Sequence, residues 1–164
     1  MHAMSVSVEP AGAWSLVELL DAPEVGRRMS AVLQLRALGS EAGPALERGL
    51  SCHGSDGVRR WCAHLLGELC CADGGAAAAL VAATHDRTAA VRMLAVQTLA
   101  DPERSAALGV DPVPHLVRMA RFDRSKRVRG LALRGLRMRL PDPRAAATLA
   151  GNASGRLLLT APSL

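Results

Sequence analysis

The run Asp86-Arg87-Thr88-Ala89-Ala90-Val91-Arg92-Met93-Leu94-Ala95 returns 37 residues later as Asp123-Arg124-Ser125-Lys126-Arg127-Val128-Arg129-Gly130-Leu131-Ala132. Six of the ten positions are identical, and Thr88/Ser125 is a similar pair. Self-similarity at a fixed spacing constrains architecture before local propensity does, because each copy is one supersecondary unit and neighbouring copies share a core. Extending the register places anchors at Val25, Val58, Val91 and Val128, in steps of 33, 33 and 37 residues. Each anchor opens an apolar series at +4 and +8: Met29 and Leu33, Cys62 and Leu66, Ala95 and Leu99, Ala132 and Leu136. At about 100° per residue these positions share one helical face. Arg follows the anchor at Arg59, Arg92 and Arg129, and Gly26 stands there in the first unit. Terminal repeats are commonly atypical.

A shorter apolar helix is expected before each anchor, at Trp14–Leu20, Pro44–Leu50, Gly75–Ala83 and Pro114–Arg121. Ala, Leu and Val dominate the chain, with one Phe, two Trp, no Tyr and no Ile, a balance that favours helices. Turn residues separate the helices of each pair: Asp21-Ala22-Pro23, Ser51-Cys52-His53-Gly54, Thr84-His85-Asp86, and Asp123 with Ser125. Asp86 and Asp123 are placed to cap the helices that follow them. Pro44 and Pro114 mark helix starts, since Pro is tolerated in the first turn. The longer last step falls in Asp101–Val113, a Pro-bearing insertion expected to be a surface loop.

The D-x(4)-V-R-x-x-A runs, with Val58-Arg59 through Leu66-Gly67, resemble HEAT repeats of the short bacterial kind also seen in phycobilin-lyase-like proteins. The resemblance covers about residues 14–140. It implies an all-α fold, an α-solenoid of about four HEAT-like helix pairs plus a C-terminal capping helix. Residues 14–164 would form that single domain, behind a poorly ordered N-terminal segment at 1–13. Pro143–Ala150 reads as the first helix of a further half-unit, and Arg156–Thr160 could close the stack with Leu157, Leu158 and Leu159.

In the HEAT family the second helix of each pair lines the concave side. Positions +2, +6 and +9 face away from a core centred near +4. They hold Arg27, Ala31 and Gln34, then Arg60, His64 and Gly67, then Met93, Gln97 and Ala100, then Gly130, Arg134 and Arg137. A polar-to-basic groove follows, with Arg27, Arg60, His64, Gln97, Arg134 and Arg137 as the candidate partner contacts. The Arg at +1 points to the flank, where it could pair with the capping Asp of a neighbouring unit.

Charge is unevenly placed. Residues 118–144 carry ten basic side chains and two acidic ones, whereas residues 1–117 carry nine basic and thirteen acidic. Arg118, Arg121, Arg124, Lys126, Arg127 and Arg139 form the candidate basic patch, suited to an anionic partner. Nineteen of twenty basic residues are Arg and Asn occurs once, as a GC-rich genome would produce, so Arg abundance alone argues little. Phe122 is the only aromatic residue within the patch, which disfavours single-strand binding through stacked bases.

No metal or cofactor site emerges. Cys62 and His64 lie about 200° apart on a helix, and Cys70 and Cys71 diverge similarly. Cys62 reads as a small core residue, and an exposed, oxidisable Cys71 is the lesser alternative for that thiol. Trp61 and Glu68, seven residues apart, fall on roughly one side of a helix. The pair resembles the aromatic and acidic groups of HEAT-like alkylpurine DNA glycosylases, but Trp61 at +3 reads better as a wedge between units.

The expected function is a non-catalytic adaptor that binds a partner protein or peptide on the groove, as a monomer or weak homo-oligomer. The alternative is nucleic-acid binding through the basic C-terminal repeat, in the manner of a glycosylase relative. Residues 1–13 have neither a basic start nor an apolar run, no Cys-x-x-Cys pair occurs, and no stretch approaches a membrane span. The expected setting is a reducing cytoplasm, in which Asn152-Ala153-Ser154 would not be glycosylated.

Overall fold

Helices form where Ala, Leu and Arg dominate, and they stop at Pro, Gly and short polar residues. The computed structural model describes residues 12–69 and 74–140, with Thr148, and this part is all-helical without a strand. Helix α1 (Ala13–Glu18) runs into a tight turn at Leu19–Asp21, and α2 spans Val25–Leu38. After a turn at Gly39–Ala42 come α3 (Gly43–Cys52), α4 (Asp56–Leu69), α5 (Gly75–Ala83) and α6 (Ala89–Ala100). The remaining helices are α7 (Pro102–Ala107), α8 (Val113–Phe122) and α9 (Lys126–Arg139). The four short helices lie within about two residues of their expected bounds. The segment before Gly12, Cys70 and Cys71, the half-unit at Pro143–Ala150 and the closing Arg156–Thr160 lie outside the described residues, except for the helical Thr148.

Consecutive helices pack in pairs, α1 on α2, α3 on α4, α5 on α6 and α8 on α9. The second members also meet in order: α2 touches α4, α4 packs on α6, and α6 packs on α9. Leu46, Leu65, Leu66 and Leu80 are fully buried in a larger apolar cluster, while Leu99, Leu116, Met119 and Leu136 centre a smaller one. Val110 packs against both.

Two glycines lie where second helices leave no room for a side chain. A Cβ on Gly67 of α4 would lie 2.2 Å from Thr98 Oγ1 of α6, and one on Gly135 of α9 would lie 2.6 Å from Ala100 Cβ. Gly67 and Ala100, expected in the groove at +9, are buried at these contacts.

The first unit departs from its expected register. Val25 and Leu33 are 63% and 60% exposed, and Met29 is also exposed, whereas Ala31 and Leu35 are fully buried. The anchor position therefore belongs to Arg27, with Ala31 and Leu35 at +4 and +8. Arg28, not Gly26, takes the +1 place. Its Nη1 donates to Ala22 O at 2.6 Å and Pro23 O at 2.9 Å, six and five residues back. Arg59, Arg92 and Arg129 make the same reach, to His53 and Gly54, Asp86 and Arg87, and Asp123 and Arg124. The Val25-Met29-Leu33 series is a true helical stripe, but no described element covers it.

The insertion is a second correction. It holds α7, because Asp101-Pro102-Glu103-Arg104 is a helix start: Asp101 Oδ1 accepts from the Glu103 and Arg104 backbone N–H groups at 2.9 and 3.1 Å. Pro102 occupies the first turn.

Candidate functional site

The loops before α4, α6 and α9 share one polar device. Thr88 N–H donates to Asp86 Oδ1 at 2.7 Å and Ser125 N–H donates to Asp123 Oδ1 at 2.7 Å. Neither carboxylate bonds an N–H inside the helix, so these are Asx turns preceding the helix rather than the expected side-chain caps. In the loop before α4, His53 Nδ1 accepts Ser55 N–H at 3.1 Å, so an imidazole occupies the Asp position.

Each Asx carboxylate then takes the +1 Arg of the preceding pair. Arg59 is 4% exposed and spends its donors on Asp86 Oδ2 (2.8 Å), Asp86 Oδ1 (3.3 Å), Thr88 Oγ1 (3.3 Å) and the His53 and Gly54 carbonyls. A buried guanidinium needs this full satisfaction to hold its charge. Arg92 forks likewise onto Asp123 at 2.7 and 3.0 Å. The expected ladder is thus present at Arg59 and Arg92. Arg129 makes its carbonyl bonds, but no ion pair among the described residues. Burial alone would raise the pKa of Asp86 and Asp123, yet the Arg59 and Arg92 hydrogen bonds and the Asx N–H bonds hold both below the usual value.

The outer faces of α2, α4 and α6 form a second feature. Arg36 Nε and Nη2 donate to Glu68 Oε2 and Oε1 at 2.9 and 3.0 Å, joining α2 to α4 on the surface. His64 Nε2 lies 3.7 Å from the same carboxylate. Trp61 is half-buried against the core and meets His64 edge-on, with ring centroids 6.0 Å apart. Gly57, Arg60, Trp61 and His64 of α4 and Leu94 of α6 line an open hollow of about 400 Å³. Gln97 is exposed one turn beyond Leu94 of this hollow on α6.

Of the expected groove contacts, Arg60 and His64 come together in this hollow, while Arg134 and Arg137 are exposed on α9. Arg27 does not join them. It is exposed, 3.9 Å from Glu24, but at the anchor position of its helix, and Ala31, also expected in the groove, is buried. Met29, Leu33 and Arg36 occupy the corresponding outward places on α2. The signal for that shift lay in Arg28, whose reach to its own loop fixes the register.

The basic residues divide. Lys126, Arg127, Arg134 and Arg137 are exposed within about 100° of the outward side of α9. None has a carboxylate within 4.0 Å among the described residues. Arg121 and Arg124 are exposed too, with Arg121 5.2 Å from the Phe122 ring centroid. Two others point inward. Arg118 Nη2 donates to the buried Thr84 Oγ1 at 2.6 Å. Arg139 donates to Ala100 O, to Asp101 O at 2.9 Å and to Ser105 Oγ at 2.5 Å, closing the end of α6 onto α7. Its inward angle follows from helical arithmetic: Arg139 lies about 60° from the buried Leu136.

Cys62 is buried, which pushes its thiol up to about 12, while Cys52 is exposed. No group of three or more metal-ligating side chains occurs among the described residues, and no helix there is long and apolar enough to cross a membrane. No protein-family model matches the chain, and no curated protein matches it.

Proposed function

We propose that the chain is a short α-solenoid of the HEAT type, acting as a non-catalytic adaptor that holds a partner protein or peptide against the outer faces of α4, α6 and α9. The hollow at Trp61 carries this reading. A half-buried aromatic, an imidazole and an aliphatic side chain from two successive second helices share an open concavity with Arg60 at its edge. Half-buried Trp beside Arg is the composition of interface anchors. The successive contacts α2–α4, α4–α6 and α6–α9 are those that stacked pairs would make.

The test is capture from nuclease-treated host lysate by the wild type and by a Trp61→Ala/His64→Ala/Arg134→Glu variant, after circular dichroism has matched their folds. A protein captured by the first and lost by the second is the expected outcome. Identical capture would remove this face from consideration.

A second reading rests on α9, whose outward side presents Lys126, Arg127, Arg134 and Arg137 without a carboxylate within 4.0 Å among the described residues. Cations in the first turn oppose the helix dipole, so Lys126 and Arg127 do not serve the helix itself. Such a row suits the phosphates of duplex nucleic acid. It predicts retention on duplex DNA at low salt that falls steeply as salt rises. The glycosylase extension draws less support, because Arg36 already engages Glu68.

A further inference from the structure

Arg87 and Arg124 hold the same place in the repeated phrase, one residue after Asp86 and Asp123. They behave differently. Arg87 turns to the preceding loop and donates from Nη2 to Gly54 O at 2.8 Å, bridging the two loops. The corresponding acceptor for Arg124 is Arg87 O, which takes Arg92 Nη1 at 3.2 Å just as Gly54 O takes Arg59 Nη1 at 2.9 Å, but no second bond from Arg124 is made there. Arg124 has no side-chain hydrogen bond or ion pair among the described residues.

An open cleft of about 510 Å³ lies between the loops before α6 and α9. Thr84, His85, Arg87, Arg118, Phe122 and Arg124 are on its wall, with Asp86 and Asp123. Those two carboxylates are already matched, Asp86 by Arg59 at 2.8 Å and Asp123 by Arg92 at 2.7 Å. Arg87, Arg118 and Arg124 therefore bring three guanidinium groups to one cleft without a carboxylate within 4.0 Å among the described residues. Arg118 is steadied by its 2.6 Å bond to Thr84 Oγ1, which leaves other N–H donors of its fork unspent. Burial first, then the Arg118 and His115 charges, lower the pKa of His85 on the same wall.

We propose that this cleft binds a phosphate monoester dianion carried on an organic group, with Arg118 and Arg124 gripping the phosphoryl oxygens and Phe122 flanking the organic part. Three guanidinium groups call for a ligand with about two negative charges and several acceptor oxygens. A carboxylate offers one charge. The hollow exceeds a bare phosphate and falls within the usual size range of ligand pockets. Phe122 is 70% exposed at the rim, with the Arg121 guanidinium 5.2 Å from its ring centroid. The site shares no residue with the hollow at Trp61, so it stands apart from the adaptor reading.

Two sources could supply this chemistry, a phosphorylated segment of a partner or a small phosphorylated compound. The test titrates the full chain with a short phosphoserine peptide and with adenosine monophosphate, against inorganic phosphate as baseline. Calorimetry gives affinity, and the His85 ring resonances report the site. Saturable binding by at least one ester is expected, with His85 titrating at higher pH when the dianion is bound. Arg124→Ala should weaken binding roughly tenfold, and Arg118→Gln should weaken it as well, whereas Arg127→Ala, outside the cleft, should leave it unchanged. Tighter binding of the peptide identifies a modified partner; tighter binding of the nucleotide identifies a small compound. Should Arg118→Gln fail to fold, Arg124→Ala decides alone, since its side chain holds nothing in place. No saturable binding below about 10 mM, or equal weakening by Arg127→Ala, would overturn the proposal.

Discussion

Arg59 and Asp86, 27 residues apart in the chain, meet through two hydrogen bonds of 2.8 and 3.3 Å in an almost fully buried fork. The pair ties the first turn of α4 to the loop between α5 and α6 of the next helix pair. Removing one partner of a buried ion pair leaves the other uncompensated, which costs about 3–5 kcal/mol. Asp86→Ala is expected to lower the denaturant midpoint accordingly. Arg36→Ala breaks a comparable bidentate bridge to Glu68 whose side chains are 37% and 36% exposed, and it should cost no more than about 1 kcal/mol. Equal effects in urea unfolding would contradict the importance given to burial.

The same forks make stability depend on acid. Asp86 and Asp123 have folded pKa values below those of the unfolded chain, so the unfolded state binds more protons as pH falls through the carboxylate range. Their contribution is complete above about pH 5 and is lost progressively as pH drops below about 4 toward the folded values. Unfolding free energies measured from pH 7 to pH 3 should fall over that window, and Asp86→Asn should flatten the decline.

Glycines offer a test of helix contact. Gly67→Ala and Gly135→Ala drive a methyl into Thr98 and Ala100, and each should destabilise by about 1–3 kcal/mol. Gly130→Ala, on the open side of α9 with nothing within 4 Å, should stabilise by up to about 1 kcal/mol. Thermal midpoints of the three variants give opposite signs if α4–α6 and α6–α9 pack as described.

The register of α2 has its own test. Leu35→Ala removes a fully buried side chain and should cost about 2–5 kcal/mol, whereas Leu33→Ala should cost under about 0.5 kcal/mol. The reverse ranking would restore Val25 as the anchor.

That contrast shows what the sequence made legible. The Asp86 and Asp123 copies fixed α6 and α9 because interior helices bury the same face each time, and Pro44, Gly75 and Pro114 located the short helices. The periodicity of Val25, Met29 and Leu33 identified residues that share a face, but not whether a neighbour covers it. In the first pair nothing described does. The site was less readable still, since the hollow at Trp61 depends on Leu94, 33 residues away. The sequence groups Arg118 and Arg139 with the basic patch, and their inward bonds are not legible there because the acceptors, Thr84 and the carbonyls of Ala100 and Asp101, are distant in sequence.

The substitution of His53 for the Asp of the other loops has a mechanical consequence. Arg28 finds only its own carbonyls, so the first junction carries no buried fork among the described residues, while the next two are riveted by Arg59 and Arg92. The junctions between successive helix pairs are therefore unequal. Local opening should begin at α1 and α2 and halt at Gly54, where the first rivet engages.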